Sequence, residues 1–176
     1  MKRLAVLVVL LGVAAMFWGC GKEAEVFETV NDVHLLPVSA GTPQYQVRVQ
    51  LPQNAGLEQA LSCDTEKVYT KDDGCCTYTT EILTAVSLES LLTELTGQPE
   101  ERLTVIQTEL YDLPRYDLCW TTAGEQGEAV CRAAILDDGM HYYVVTASVP
   151  AHQAGLERES LDAMFASMEL YGDEGF

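Results

Sequence analysis

Five cysteines in the body of the chain are the residues best suited to covalent chemistry: Cys63, Cys75, Cys76, Cys119 and Cys131. A thiolate is a nucleophile and a soft-metal ligand, and two thiols within reach of each other can form a disulfide. Cys119 and Cys131 stand on two β-prone runs joined by a turn centred near Glu125. Opposed residues of an antiparallel hairpin keep a constant index sum, and a turn centred on 125 makes 119 and 131 partners. Opposed Cα atoms lie about 4.5–5.5 Å apart, inside the roughly 4.4–6.8 Å that a disulfide accepts. A Cys119–Cys131 bridge is therefore expected, with two buried thiols on one sheet face as the alternative. One residue of register shift would send the two side chains to opposite faces and defeat the bridge.

Cys75 and Cys76 are adjacent, and successive strand residues point to opposite sides. Cys63 lies upstream and could pair with either, so a possible second disulfide falls among Cys63, Cys75 and Cys76, leaving one odd thiol. A thiol-redox protein working through these three cysteines is the alternative reading of function. The Cys-x-x-Cys at a helix start that lowers a thiol pKa is absent. The paired spacing of a tetrahedral zinc site is absent too, so no metal is expected.

The remaining candidates for chemistry are weaker. His34, His141 and His152 are far apart and form no HxH or HExxH pattern. Asp72-Asp73 and Asp137-Asp138 each precede a glycine, which is hairpin-turn chemistry rather than the spacing of a calcium loop. No GxSxG elbow, P-loop or Rossmann glycine pattern occurs. No catalytic set and no cofactor is therefore expected, and the chain reads as a non-catalytic binding or assembly module. Trp120, Tyr142 and Tyr143 are candidates for lining a groove. The exposed face of the segment from Tyr116 to Val149 is the expected surface for a protein partner or small ligand.

These residues must be positioned by a mixture of strands and two helices. Val26 to Leu36 reads as a strand and Pro37 to Pro43 as a loop. Tyr45, Val47, Val49 and Leu51 alternate with polar residues, the pattern of a half-buried strand. Leu57 to Leu61 suits a helical turn. Lys67 to Thr70 and Cys76 to Leu83 flank Asp73-Gly74, a hairpin signal. Ser87 caps a helix whose Leu88, Leu91, Leu92 and Leu95 share one face, stopped by Gly97 and Pro99. Four β-prone runs follow: Leu103 to Tyr111, Tyr116 to Thr122, Glu128 to Leu136 and His141 to Val149, with a turn expected at Leu113-Pro114. They make an antiparallel meander. A last helix aligns Leu161, Met164, Phe165 and Met168. The expected fold is α+β: an antiparallel sheet of about six to eight strands with helices packed on it.

The chain begins with Lys2 and Arg3, then an apolar run from Leu4 to Trp18, then Gly19-Cys20. This is the layout of an export signal. As a helix the run would reach roughly 22 Å, short of the bilayer core of about 30 Å. Phe17-Trp18-Gly19-Cys20 resembles the lipobox of bacterial lipoproteins, although Phe17 and Trp18 are bulkier than that pattern usually carries. The resemblance implies cleavage after residue 19, a diacylated Cys20 as the lipid anchor, and a place on the outer face of the cell membrane. Residues 20–25 would then be a short tether, 26–171 one globular domain and 172–176 a disordered tail. The formal charge is −17, and removing Lys2 and Arg3 takes it to −19. Such a surface repels phosphates, so no nucleic-acid partner is expected.

The run from Tyr142 to Val149 leading into Leu161 to Met168, with the element order above, resembles the Mog1/PsbP-like fold. That resemblance implies α/β/α layers over roughly Val26 to Tyr171. It implies binding or assembly roles rather than a shared enzyme activity, and it carries over no functional residue.

Overall fold

The computed structural model describes residues 42–71, 74–124 and 127–172. The export segment, Cys20, the tether, the expected strand Val26 to Leu36, Asp72-Asp73 and the C-terminal tail from 173 on lie outside the described residues.

Nine strands and two α-helices are found among the described residues. The strands are β1 Tyr45–Arg48, β2 Ala55–Leu57, β3 Glu66–Lys71, β4 Thr77–Leu83, β5 Val105–Leu110, β6 Leu113–Gly124, β7 Gly127–Asp137, β8 Tyr142–Pro150 and β9 Glu169–Gly172. The helices are α1, Leu88–Thr96, and α2, Ala154–Ala166. Seven strands form one sheet in the order β2-β3-β4-β8-β7-β6-β5, and β1 pairs with β9 in a separate two-stranded sheet. All pairings are antiparallel. The chain leaves β4, crosses through α1 to the far edge at β5, and folds back as the expected meander until β8 docks on β4.

Local sequence explains α1 well. The Ser87 hydroxyl accepts from the Ser90 N–H (3.2 Å) and the Ser90 hydroxyl accepts from the Ser87 N–H (3.1 Å), satisfying two otherwise orphaned donors. Gly97 ends the helix at φ +67°, in the left-handed region that glycine enters without cost. Leu91 and Leu92 are fully buried against Leu118, Ala133, Ile135 and Val144 on one face of the large sheet. On the other face α2 buries Leu161, Met164 and Phe165 against Ala134, Leu136, Tyr143, Val145, Ala147 and Val149. Arg115 holds the C-terminal end of α2 by donating to the Phe165 carbonyl (3.1 Å) while it chelates Asp117. Helix, sheet and helix are the expected α/β/α layers. β7 and β8 are central and covered on both faces, so Ala133–Leu136 and Tyr143–Val145 are buried without interruption.

Two local expectations are corrected. The turn between β5 and β6 is Tyr111-Asp112, because Leu110 pairs with Leu113, and Pro114 sits inside β6. Residues 169–172, of which 172 was expected to begin a disordered tail and none was expected as a strand, form β9, and their partner β1 is more than a hundred positions away in sequence. On the meander α1 and α2 cover the two sides of β7 and β8, while Ile106–Glu109 of β5, Cys119, Thr121–Ala123 and Glu128 stay exposed.

Candidate functional site

The expected Cys119–Cys131 bridge is not formed. Gly124 pairs with Gly127, so the β6–β7 hairpin has a two-residue turn rather than a centre on residue 125. Register shifts by one: Cys119 opposes Arg132, and Cys131 opposes Trp120. The two thiols therefore point to opposite faces. Cys119 is exposed beside a shallow cavity of about 210 Å³ that Arg132 and Phe165 also line. Cys131 is buried on the α1 side, 3.6 Å from the Ser148 hydroxyl, and burial pushes its thiol pKa up.

Cys63 does not meet Cys75 or Cys76 either. It precedes β3, whereas the vicinal pair follows it, so the six residues of β3 separate them by about 20 Å at roughly 3.3 Å per residue. Cys63 is exposed. The Thr65 hydroxyl, and then the Thr65 and Glu66 backbone, hold its thiol below the usual value. Cys75 and Cys76 do converge. They lie in the irregular segment before β4, where strand alternation does not apply, and their sulfurs are 3.4 Å apart. Among the described residues no disulfide is formed.

The Asp137-Asp138-Gly139 segment is a turn, as its sequence suggested. Asp137 accepts from the Gly139 N–H (2.7 Å). One Asp138 oxygen accepts from the Met140 and His141 N–H groups (2.8 and 2.6 Å), and the other from the Tyr143 hydroxyl (2.7 Å). Burial alone would raise this carboxyl, but the bonds from His141, Tyr143 and Met140 hold it below the ordinary carboxylate range. His141 is buried beside it, and no three His, Cys, Asp or Glu side chains converge on a metal site among the described residues.

Of the aromatic residues singled out in the sequence, Trp120 and Tyr142 pack on the α1 side and Tyr143 is core. Tyr143 nevertheless supports a cavity from behind. Its ring meets Tyr45 edge-on at 5.9 Å. Tyr45 in turn lines a cavity of about 420 Å³ together with Tyr111, Asp112, Leu113, Glu169 and Leu170. This volume suits a small ligand. The β1–β9 sheet supplies one wall and the β5–β6 turn the other. Leu170 faces the core side of β9, whereas Glu169 shares the outer face with Arg48, its cross-strand partner.

The turn that forms this wall breaks the usual residue rule. Both central residues have positive φ, Tyr111 at +56° and Asp112 at +60°. A two-residue hairpin turn of this kind favours Asn-Gly, and a bulky side chain there is strained. Tyr111 is also 56% exposed, so burial of its ring does not repay the strain. Sequence reasoning missed the cavity for two reasons. Its walls come from segments distant in sequence, and the available signal, a two-residue gap between β-prone runs at Tyr111-Asp112, was masked by Pro114.

No family model and no curated protein matches the chain. Solved structures do. The chain is similar to LpqN of Mycobacterium tuberculosis, described as involved in cell envelope biogenesis, at 10% identity over 74% of this chain and 86% of that one, with a TM-score of 0.50. It is similar to the cyanobacterial PsbP protein CyanoP of Synechocystis at 10% identity, covering 76% and 96% of the two chains with a TM-score of 0.49. A Bacteroides thetaiotaomicron protein matches at 9% identity and a TM-score of 0.49 over 72% of this chain, which spans 46% of that one. At such identities the LpqN likeness shows the fold alone. That fold is the Mog1/PsbP-like α+β arrangement expected from the sequence.

Proposed function

We propose that this chain is an exported lipoprotein, anchored through a diacylated Cys20, whose domain is a non-catalytic module that binds a small ligand in the groove between β9 and the β5–β6 turn. The observation that carries the binding site is the 420 Å³ cavity walled by Tyr45, Tyr111, Leu113 and Leu170 and bordered by Asp112. Such walls suit a ligand with an aromatic or aliphatic body, and the Asp112 carboxylate can accept from a hydroxyl or amine on it. Strain at an exposed tyrosine is costly unless something uses the ring, and strained turns concentrate at binding sites. The anchor is supported by the sequence of residues 1–20, whose basic start, short apolar run and Gly19-Cys20 fit lipoprotein export. LpqN, which shares the fold, is described as taking part in envelope biogenesis, and an envelope setting suits a lipid-anchored domain of this size.

Two experiments test the reading. Mass spectrometry of the N-terminal peptide from native membranes should find Cys20 as the first residue with two acyl chains, and an intact Met1 would remove the anchor. A fragment screen followed by NMR shift mapping should cluster its hits on Tyr45, Tyr111 and Leu170. Hits confined to Thr121–Ala123 and Glu128 would move the binding surface to the open end of the meander.

A further inference from the structure

The second cluster of reactive groups sits at the other end of the domain, where the N-terminus of α2 meets the start of β4. Cys75 and Cys76 hold their sulfurs 3.4 Å apart. Both turn toward the Gln153 side-chain carbonyl, Cys75 at 3.1 Å and Cys76 at 4.0 Å. Gln153 occupies the N-cap position of α2, yet its side chain caps nothing, because its amide is turned to the thiols. The Tyr78 hydroxyl is buried in the same place. Tyr78 is 1% exposed and its oxygen meets no hydrogen-bond partner among the described residues, while burial and the neighbouring Cys76 push its pKa up. The Lys71–Glu157 ion pair (2.5 Å) closes the side of the cluster. A buried, unsatisfied hydroxyl beside two thiols is costly for a purely structural corner.

Exposure differs between the two sulfurs in a way that suits a two-step exchange. Cys75 is half-buried and within reach of solvent, whereas Cys76 is fully buried. We infer that Cys75 and Cys76 form a reversible dithiol–disulfide site whose co-substrate is a low-molecular-weight disulfide. In the first step the Cys75 thiol gives its proton to solvent and its sulfur attacks one sulfur of the small disulfide. A mixed disulfide forms on Cys75, and the first small thiolate leaves and takes up a proton. In the second step the Cys76 sulfur, already adjacent, loses its proton and attacks the Cys75 sulfur. The Cys75–Cys76 bond forms in a small ring that is strained, because adjacent Cα atoms lie only about 3.8 Å apart, and so is readily reduced again; the second small thiolate is expelled and takes up the proton. Two protein thiols are oxidised and one small disulfide is reduced to two thiols.

Oxidation removes both S–H donors from the Gln153 carbonyl. The Gln153 side chain, which holds no N–H of α2 while the thiols are reduced, is released from them beside the first turn of that helix. This site is separate from the groove and does not depend on a ligand there.

The test treats the full-length protein in detergent with oxidised glutathione and maps every cysteine by mass spectrometry under non-reducing conditions. The expected result is an intramolecular Cys75–Cys76 disulfide carrying no glutathione, restored to the dithiol by reduced glutathione. Cys76→Ser should stop at a glutathione adduct on Cys75, and Cys75→Ser should leave Cys76 unmodified on the same timescale. The inference is overturned if Cys75 and Cys76 stay reduced when the exposed Cys63 is fully modified. It is equally overturned if glutathione remains on Cys75 in the wild type.

Discussion

Two turns of the same meander are built in opposite ways. The β7–β8 turn follows every local rule: Gly139 takes the positive φ of +85°, and Asp137 and Asp138 accept from the N–H groups that the turn exposes. The β5–β6 turn places a tyrosine and an aspartate where glycine or asparagine would be relaxed. The first turn serves the fold, since Asp138 fixes Tyr143 and Tyr143 buttresses Tyr45. The second stands at the mouth of a cavity. Local rules are kept at the turn that holds the core aromatics and broken at the turn that borders the cavity.

The comparison is sharpened first at the rule-following turn. Asp138→Ala removes the acceptor for two backbone N–H groups and a buried tyrosine hydroxyl. It should destabilise the domain by about 1.5–3 kcal/mol, the range for hydrogen bonds to a charged group, as read by thermal or urea unfolding. The pH dependence has a definite sign. The folded-state pKa of Asp138 is depressed, so its contribution is complete above the ordinary carboxylate value and is lost as pH falls through the folded value. Stability curves of wild type and Asp138→Ala should therefore converge below about pH 4. A constant gap at low pH would mean that the carboxylate is not the source of the stability.

The rule-breaking turn should respond in the opposite direction. Tyr111→Asn places a residue that tolerates positive φ at the same position. It should raise stability by about 1 kcal/mol, in line with the cost of left-handed backbone for an ordinary side chain. A loss of stability would show that the Tyr111 ring contributes packing that outweighs the strain.

The smallest effect is expected away from both turns. Glu81 on β4 faces Glu66 across the β3–β4 pair and accepts from the Thr79 hydroxyl. Burial raises its pKa, and Glu66 and Glu94 add to that against the Thr79 bond. A raised acid favours the fold below its unfolded value and loses that contribution as pH rises through the folded one. Glu81→Gln should thus leave the domain slightly more stable at neutral pH, within about 0.5 kcal/mol, with the gain vanishing in acid. A gain that persists at pH 3 would point to packing rather than charge.

Much of the fold was legible because its signals are local. Ser87 and Gly97 bound α1, the leucines at helical spacing mark its buried face, and Asp-Gly marks two hairpins. The strand β9 and its partner β1 were not legible as a pair, since nothing in four residues of β9 specifies a partner so remote in sequence. The cysteines show the same limit at finer scale. Cys119 and Cys131 were paired on a turn centre that was wrong by half a residue, enough to reverse one side chain. Cys75 and Cys76 were separated by a rule of alternation that their irregular backbone does not obey. The groove depends on both kinds of hidden information, a long-range pairing and an unusual turn, and so no residue of it except Tyr143 behind it stood out beforehand.

The central claim is that Tyr111 is held in a strained conformation because the groove uses its ring. It is tested most directly by measuring, on wild type and Tyr111→Asn side by side, both unfolding free energy and affinity for the strongest hit of a fragment screen mapped to the groove. The account predicts that the variant is more stable and binds at least tenfold more weakly. A variant that is more stable and binds equally well would contradict it, leaving the strain at this turn without a function.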